Sequence, residues 1–103
     1  MQRSMAILGT RWKPVIIYTL RDRKARFGQL DALIENISRK VLTSSLKELE
    51  EDGVILREEY KELPPRVEYS LTEKGKALIT IMCQLAQWNE IFYKEDQVPE
   101  LIA

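Results

Sequence analysis

Apolar residues recur with a helical period through the first half of the chain, and the period changes after Gly53. Ser4-Met5-Ala6-Ile7-Leu8 predicts a short first helix closed by Gly9, a residue type that commonly follows a helix C-terminus. Thr10 is placed to cap a second helix over about 11–22, with Pro14 tolerated in its first turn. That helix directs Val15, Ile16, Tyr18, Thr19 and Leu20 toward a core. Arg21 to Arg26 reads as a polar, basic connection, and Arg26-Phe27 as a short strand. A third helix is expected over about 28–35, from Leu30, Leu33 and Ile34 at i, i+3, i+4. Glu35-Asn36-Ile37 interrupts the pattern. Ser38 then caps a fourth helix over about 39–52, whose Leu42, Leu46 and Leu49 form one stripe, and Gly53 ends it.

Beyond Gly53 the segment from Val54 to Tyr60 reads as a strand, and Leu63-Pro64-Pro65 as a turn. Arg66 to Leu71 alternates with period two, placing Val67, Tyr69 and Leu71 on one face. Thr72 caps a last helix running to about Lys94, with Glu73 favourable in its first turn. The tail from Asp96 to Ala103 is expected to fray. Helix, helix, helix-turn-helix, hairpin, helix is the order of a winged helix-turn-helix: a mainly α domain with a small β-hairpin wing, filling residues 1–103 as one unit.

Composition narrows the function. With 45% hydrophobic and 31% charged residues, the 103-residue chain fits a globular domain, and no apolar run reaches 18 residues. The N-terminal residues lack the apolar stretch of a signal peptide. A single cysteine, Cys83, cannot form an internal disulfide, which fits a reducing, cytoplasmic setting, and within the last helix it reads as buried, inert packing. The net charge is zero but unevenly spread. Residues 1–47 hold ten Lys/Arg against three Asp/Glu, and residues 48–103 hold six against thirteen. Such a chain can offer phosphates a basic face and repel them elsewhere. The absence of histidine removes imidazole acid-base chemistry and ligation, and one cysteine cannot build a zinc site. No enzyme, cofactor or metal is expected.

The fourth helix carries the chemistry. With its leucines inward, Arg39, Lys40, Thr43, Ser44 and Lys47 face out from its first half, next to Ser38, whereas Glu48, Glu50, Glu51 and Asp52 crowd its end. Acids ordinarily favour helix N-termini and bases C-termini, so this helix is charged against its own dipole. The reversal makes sense for a recognition helix, about 38–52, that enters the DNA major groove N-terminus first. The hairpin over about 54–71 is the candidate wing. There Lys61 and Arg66 flank the prolines and can reach a phosphate or the flanking minor groove, with Glu62 and Glu68 opposing them. Arg11 and Lys13 are candidate phosphate contacts. Trp12, Tyr18, Trp88 and Phe92 could together line a pocket for a small-molecule effector, if they are not simply core.

The last helix is too apolar for one buried face. Leu78, Ile81, Met82, Leu85, Trp88 and Phe92 form a stripe that Ile79, Cys83, Ala86 and Ile91 widen, and Met5, Ile7 and Leu8 add surplus apolar surface at the other end. A two-fold interface through about 1–9 and 73–94 would cover it. A homodimer presents two recognition helices to half-sites one DNA turn apart, hence to a palindromic operator.

The stretches Gly9-Thr10-Arg11-Trp12, Ile16-Ile17-Tyr18-Thr19-Leu20 and Arg26-Phe27-Gly28-Gln29-Leu30, the run from Ile37 to Gly53, and above all Pro64-Pro65-Arg66-Val67-Glu68-Tyr69-Ser70-Leu71-Thr72-Glu73-Lys74-Gly75 carry a resemblance. The chain resembles the HxlR-type transcriptional regulators, a branch of winged-helix proteins near the MarR group, over roughly residues 5–90. The resemblance implies a prokaryotic, dimeric DNA-binding regulator joined through its terminal helices. Many members sense oxidants or electrophiles with a cysteine just upstream of the first helix. Here that position falls at or before Met1 and no cysteine stands there, so thiol sensing is not expected.

Overall fold

Among the described residues, five helices and one hairpin form in the expected order. The computed structural model describes residues 1–93, with α1 at Gln2–Leu8, α2 at Lys13–Thr19, α3 at Phe27–Leu33, α4 at Arg39–Glu51, β1 at Ile55–Tyr60, β2 at Arg66–Leu71 and α5 at Glu73–Phe92. The tail expected to fray over 96–103 lies outside the described residues.

Local chemistry sets the boundaries. Ser38 caps α4, its Oγ accepting from the Val41 N–H at 3.1 Å. Gly53, at φ +73°, carries the chain out of that helix in a left-handed conformation that side chains resist. The turn from α3 into α4 uses a second left-handed residue, Asn36 at φ +66°, a type that tolerates this region better than most. Thr72 caps α5 by accepting from the Gly75 N–H at 3.2 Å.

Two expected caps and several ends differ. Thr10 does not cap α2. Its hydroxyl donates back to the Ile7 carbonyl at 2.9 Å, closing the end of α1, and Trp12 holds the N-cap position without a side-chain bond. Helix α2 therefore begins at Lys13, with Pro14 in its first turn as expected, and stops at Thr19 rather than near residue 22. The strand read at Arg26-Phe27 is displaced. Arg26 is the N-cap of α3, where the Gln29 side chain accepts from its N–H at 2.8 Å, and Ala25 makes the bridge instead. Ala25 exchanges two backbone bonds with Tyr69, at 3.0 and 2.8 Å, adding a one-residue third strand to the hairpin.

The hairpin is antiparallel, in register from Ile55 opposite Leu71 to Tyr60 opposite Arg66. The Leu63–Pro64 peptide at its tip is cis. Beneath it lies one core, built from Ile16, Ile17 and Leu20 of α2 and its C-cap, Leu30 and Ile34 around the end of α3, Leu42, Leu46 and Leu49 of α4, and Val54, Ile55, Leu71 and Met82. Leu33, expected inside, is half-exposed, because α3 ends there and Ile34 turns inward in its place.

The joint between α4 and α5 is tightly made. The Thr72 hydroxyl donates to the Gly53 carbonyl at 2.6 Å, the Thr72 N–H to the Val54 carbonyl at 3.1 Å, and the Lys74 ammonium to the Asp52 carbonyl at 2.6 Å. Gly75 packs so closely that a Cβ there would collide with the Val54 carbonyl.

Helix α5 buries only Gly75, Met82 and Ala86. Ile81, Leu85, Trp88, Ile91 and Phe92 are each between 45% and 65% exposed, as is Met5 of α1 at 54%. Cys83, expected to be buried, is exposed, because Met82 and Ala86 face the core and leave position 83 turned outward.

Candidate nucleic-acid interface

Amphipathic packing fixes what α4 shows to its surroundings. Leu42, Ser45, Leu46 and Leu49 are buried, so Arg39, Lys40, Thr43, Ser44 and Lys47 project from the exposed side. No acid stands in its first turn and no base in its last, so the gradient against the dipole runs along an exposed surface.

These side chains differ in readiness. Lys40 and Lys47 are exposed and, among the described residues, have no carboxylate within ion-pair distance. Arg39 meets Asp31 of α3 through Nε at 3.3 Å, and its guanidinium lies 6.0 Å from the Phe27 ring. The pair is open to solvent on the arginine side, so its net worth is small and it orients Arg39 more than it occupies it. The Thr43 hydroxyl donates to the Arg39 carbonyl at 2.7 Å, and Ser44 to the Val41 carbonyl at 3.1 Å. Both hydroxyl hydrogens are thus engaged within the helix, and outward they present lone pairs. Ser38 is exposed but committed to its cap.

Lys13 is not a phosphate contact. It is buried, and its ammonium meets Glu48 of α4 at 3.2 Å, tying α2 to α4. The two residues stand 35 positions apart, a separation that no local pattern reveals. Sequence reasoning also passed over Val41, an apolar side chain exposed between Lys40 and Ser44, and Asp31, the partner of Arg39.

The hairpin splits its two candidates. Lys61 is exposed near the tip, without an ion-pair partner among the described residues. Arg66 is held back. Its guanidinium stacks 4.3 Å from the ring of Tyr60, its cross-strand partner, and lies 3.3 Å from Glu62 and 3.6 Å from Glu68. Two carboxylates already neutralise it. On the same face of the hairpin, Lys24 lies 3.4 Å from Glu58, and that hydrogen bond raises its pKa above the ordinary lysine value. Arg11, exposed at the turn between α1 and α2, lies 4.8 Å over the Trp12 ring, away from α4 in sequence and in helix.

The aromatic pocket expected from Trp12, Tyr18, Trp88 and Phe92 does not form as one cavity. Trp12 lines a space beside α2 and the end of α3, whereas Trp88 stacks on Phe92 and Tyr93, with ring centroids 5.2 and 5.4 Å away, at the far end of α5. Among the described residues no cluster of His, Cys, Asp and Glu could hold a metal ion, and no helix is long and apolar enough to cross a membrane.

Known proteins share both sequence and shape. The model of the HxlR-like helix-turn-helix family matches residues 7–97. An HTH-type transcriptional regulator of Methanothermobacter thermautotrophicus is 46% identical over 85 residues, covering 82% of this chain and 65% of that protein. The HTH-type transcriptional regulator YdeP of Bacillus subtilis is 41% identical over 102 residues, covering 99% and 78%. The chain thus spans about two thirds to four fifths of the length of these two relatives. Among solved structures, the reduced form of the transcriptional regulator YodB of B. subtilis superposes with a TM-score of 0.85 at 37% identity, covering 91% of this chain and 92% of that one. A MarR-family regulator from Enterococcus faecalis V583 gives 0.84 at 36% identity, covering 91% and 86%. These relatives are regulators rather than enzymes, and the winged-helix fold is common to them. With the helix-turn-helix at 27–51, the hairpin at 55–71 and a family match over most of its length, the chain belongs to the HxlR-like helix-turn-helix family of transcriptional regulators.

Proposed function

We propose that the protein is a sequence-specific regulator of transcription that binds double-stranded DNA as a homodimer, with α4 in the major groove. One observation carries this reading: the exposed donor-rich first half of a helix whose leucine stripe is fully buried and whose acids lie at the opposite end. Arg39 is the candidate for a bidentate base contact, since its Asp31 partner holds it from one side only. Lys40 and Lys47 neutralise phosphates. Thr43 and Ser44 accept from base amino groups through their free lone pairs, and Val41 meets a thymine methyl. Ser38 acts by aiming the helix N-terminus at a phosphate. Lys61 reaches the flanking backbone, Arg66 contributes less because it is already neutralised, and Arg11 lies at the margin of the footprint.

Dimerisation is the second part of the proposal. Leu78, Ile81, Leu85, Trp88 and Phe92 are spaced alternately three and four apart, the repeat of a helix–helix seam, and four of the five are at least 45% exposed. A second copy related by two-fold symmetry would cover them and place two α4 helices on a palindromic site.

The test is binding to selected and to random duplexes across a salt series. A selected palindrome bound by two chains, with affinity falling steeply as salt rises, is the expected result. Equal affinity for selected and random duplexes, or no binding at low salt, overturns the proposal.

A further inference from the structure

Beside the helix-turn-helix lies a half-enclosed cavity of about 650 Å³, within the range of small-molecule sites. One wall is the turn from α1 into α2 and the start of α2, where Trp12, Pro14 and Val15 are at least half-buried. The facing wall is the end of α3 and the turn that follows, with Leu33, Ile34 and Asn36. Apolar side chains thus stand on both walls, with Thr10, Arg11, Thr19, Glu35 and Asn36 among them. The cavity borders the three-residue connection to Ser38, the cap of the recognition helix.

At its edge stands Arg11, the single cation in the lining. The guanidinium is parked 4.8 Å over the Trp12 ring, and among the described residues it makes no ion pair or hydrogen bond. A planar five-donor group, exposed and held at the edge of this cavity only by the Trp12 face, keeps its N–H donors free for bidentate capture of a carboxylate. Glu35, also in the lining, disfavours a second negative charge. Thr10 and Thr19 have their hydroxyl hydrogens committed to the Ile7 and Val15 carbonyls, so they offer a ligand acceptors only.

We infer that this cavity is a binding site for an organic monoanion with an apolar, ring-bearing body, its carboxylate on Arg11 and its body between Trp12 and Ile34. The ligand would touch the turn at Asn36, one of two left-handed non-repetitive positions that define how α4 leaves α3 and enters β1. The binding itself does not depend on the DNA-binding reading, and it is tested on the protein alone.

The probes are 2-naphthoate, the neutral 2-naphthylmethanol and the cationic 2-naphthylmethylamine, followed by calorimetry and by the indole N–H signals in an ¹⁵N correlation spectrum. The chain has two tryptophans, and they report on different places: Trp12 on this cavity, Trp88 on α5. The expected result is saturable binding of naphthoate, with a shift of the Trp12 indole and none of Trp88. The alcohol should bind more weakly and the amine more weakly still. Arg11→Gln, at an exposed position that leaves folding intact, should weaken naphthoate by about tenfold or more, as loss of a charge-assisted pair implies, and leave the alcohol unchanged. Comparable binding of amine and naphthoate, wild-type affinity in Arg11→Gln, a shift confined to Trp88, or no saturable binding overturns the inference.

Discussion

Gly75 is the residue whose replacement should be felt most for its size. A Cβ there meets the Val54 carbonyl and crowds the Leu71 side chain, all within the joint where α5 begins. Gly75→Ala gains helix propensity but must push the strand or the helix aside. We predict a net loss of about 1–3 kcal/mol, the usual cost of overpacking, in urea unfolding; a midpoint at or above wild type would show that the joint yields freely. Arg39 illustrates the opposite case. It is exposed, and its pairing with Asp31 is worth little to the fold. Arg39→Ala should leave the unfolding midpoint nearly unchanged while costing about 1–3 kcal/mol of affinity for a selected duplex, read by a titration beside the same variant on random DNA. Equal losses on both duplexes would make Arg39 a phosphate contact rather than a base reader.

At the scale of elements, the sequence pattern located each helix and both strands of the described residues, because buried stripes such as Leu42, Leu46 and Leu49 and the alternation of Val67, Tyr69 and Leu71 are local signals. It placed the caps Ser38 and Thr72 for the same reason. What it missed was tertiary. Lys13 read as surface because nothing near it in sequence announces Glu48. Cys83 read as buried because a helix apolar nearly all round gives no single phase, and only the packing of Met82 and Ala86 chooses one. Thr10 read as an N-cap because its residue type fits, but the preceding turn claimed its hydroxyl first. The candidate site was legible on α4 and less so on the hairpin, where Arg66 and Lys61 look alike in sequence and differ in surroundings. That difference is measurable. Lys61→Ala should lower the slope of log affinity against log salt by about one unit. Arg66→Ala should change it less, since Glu62 and Glu68 already balance its charge. Identical slope changes would place Arg66 free of its carboxylates when DNA is bound.

For the whole molecule, the unresolved account is the apolar surface of α5. Five large side chains from Ile81 to Phe92 lie about half open to water, more than a small domain commonly leaves in one patch. Leu85→Glu places a charge in the middle of the proposed seam at a position already half-exposed, so the monomer should still fold. Sedimentation should show the wild type as two chains and the variant as one. The variant should also lose affinity for a palindrome while keeping that for an isolated half-site. A wild type that sediments as a monomer at all accessible concentrations would remove the seam from the proposal.

The clasp of Thr72 and Lys74 on Gly53, Val54 and Asp52 has a mechanical meaning. It makes α5, 20 residues and thus about 30 Å long, a lever fixed at the end of α4. A swing of about 5° at the clasp moves the far end of such a lever by about 2.6 Å, less than the 3.4 Å or so between successive base pairs. In a pair of chains joined along α5, the stiffness of this hinge therefore sets how far the two readers can be spread or drawn together. Thr72→Gly, which loosens the hinge without touching either surface, should broaden tolerance to operators lengthened or shortened by one base pair, whereas the wild type should discriminate sharply among them.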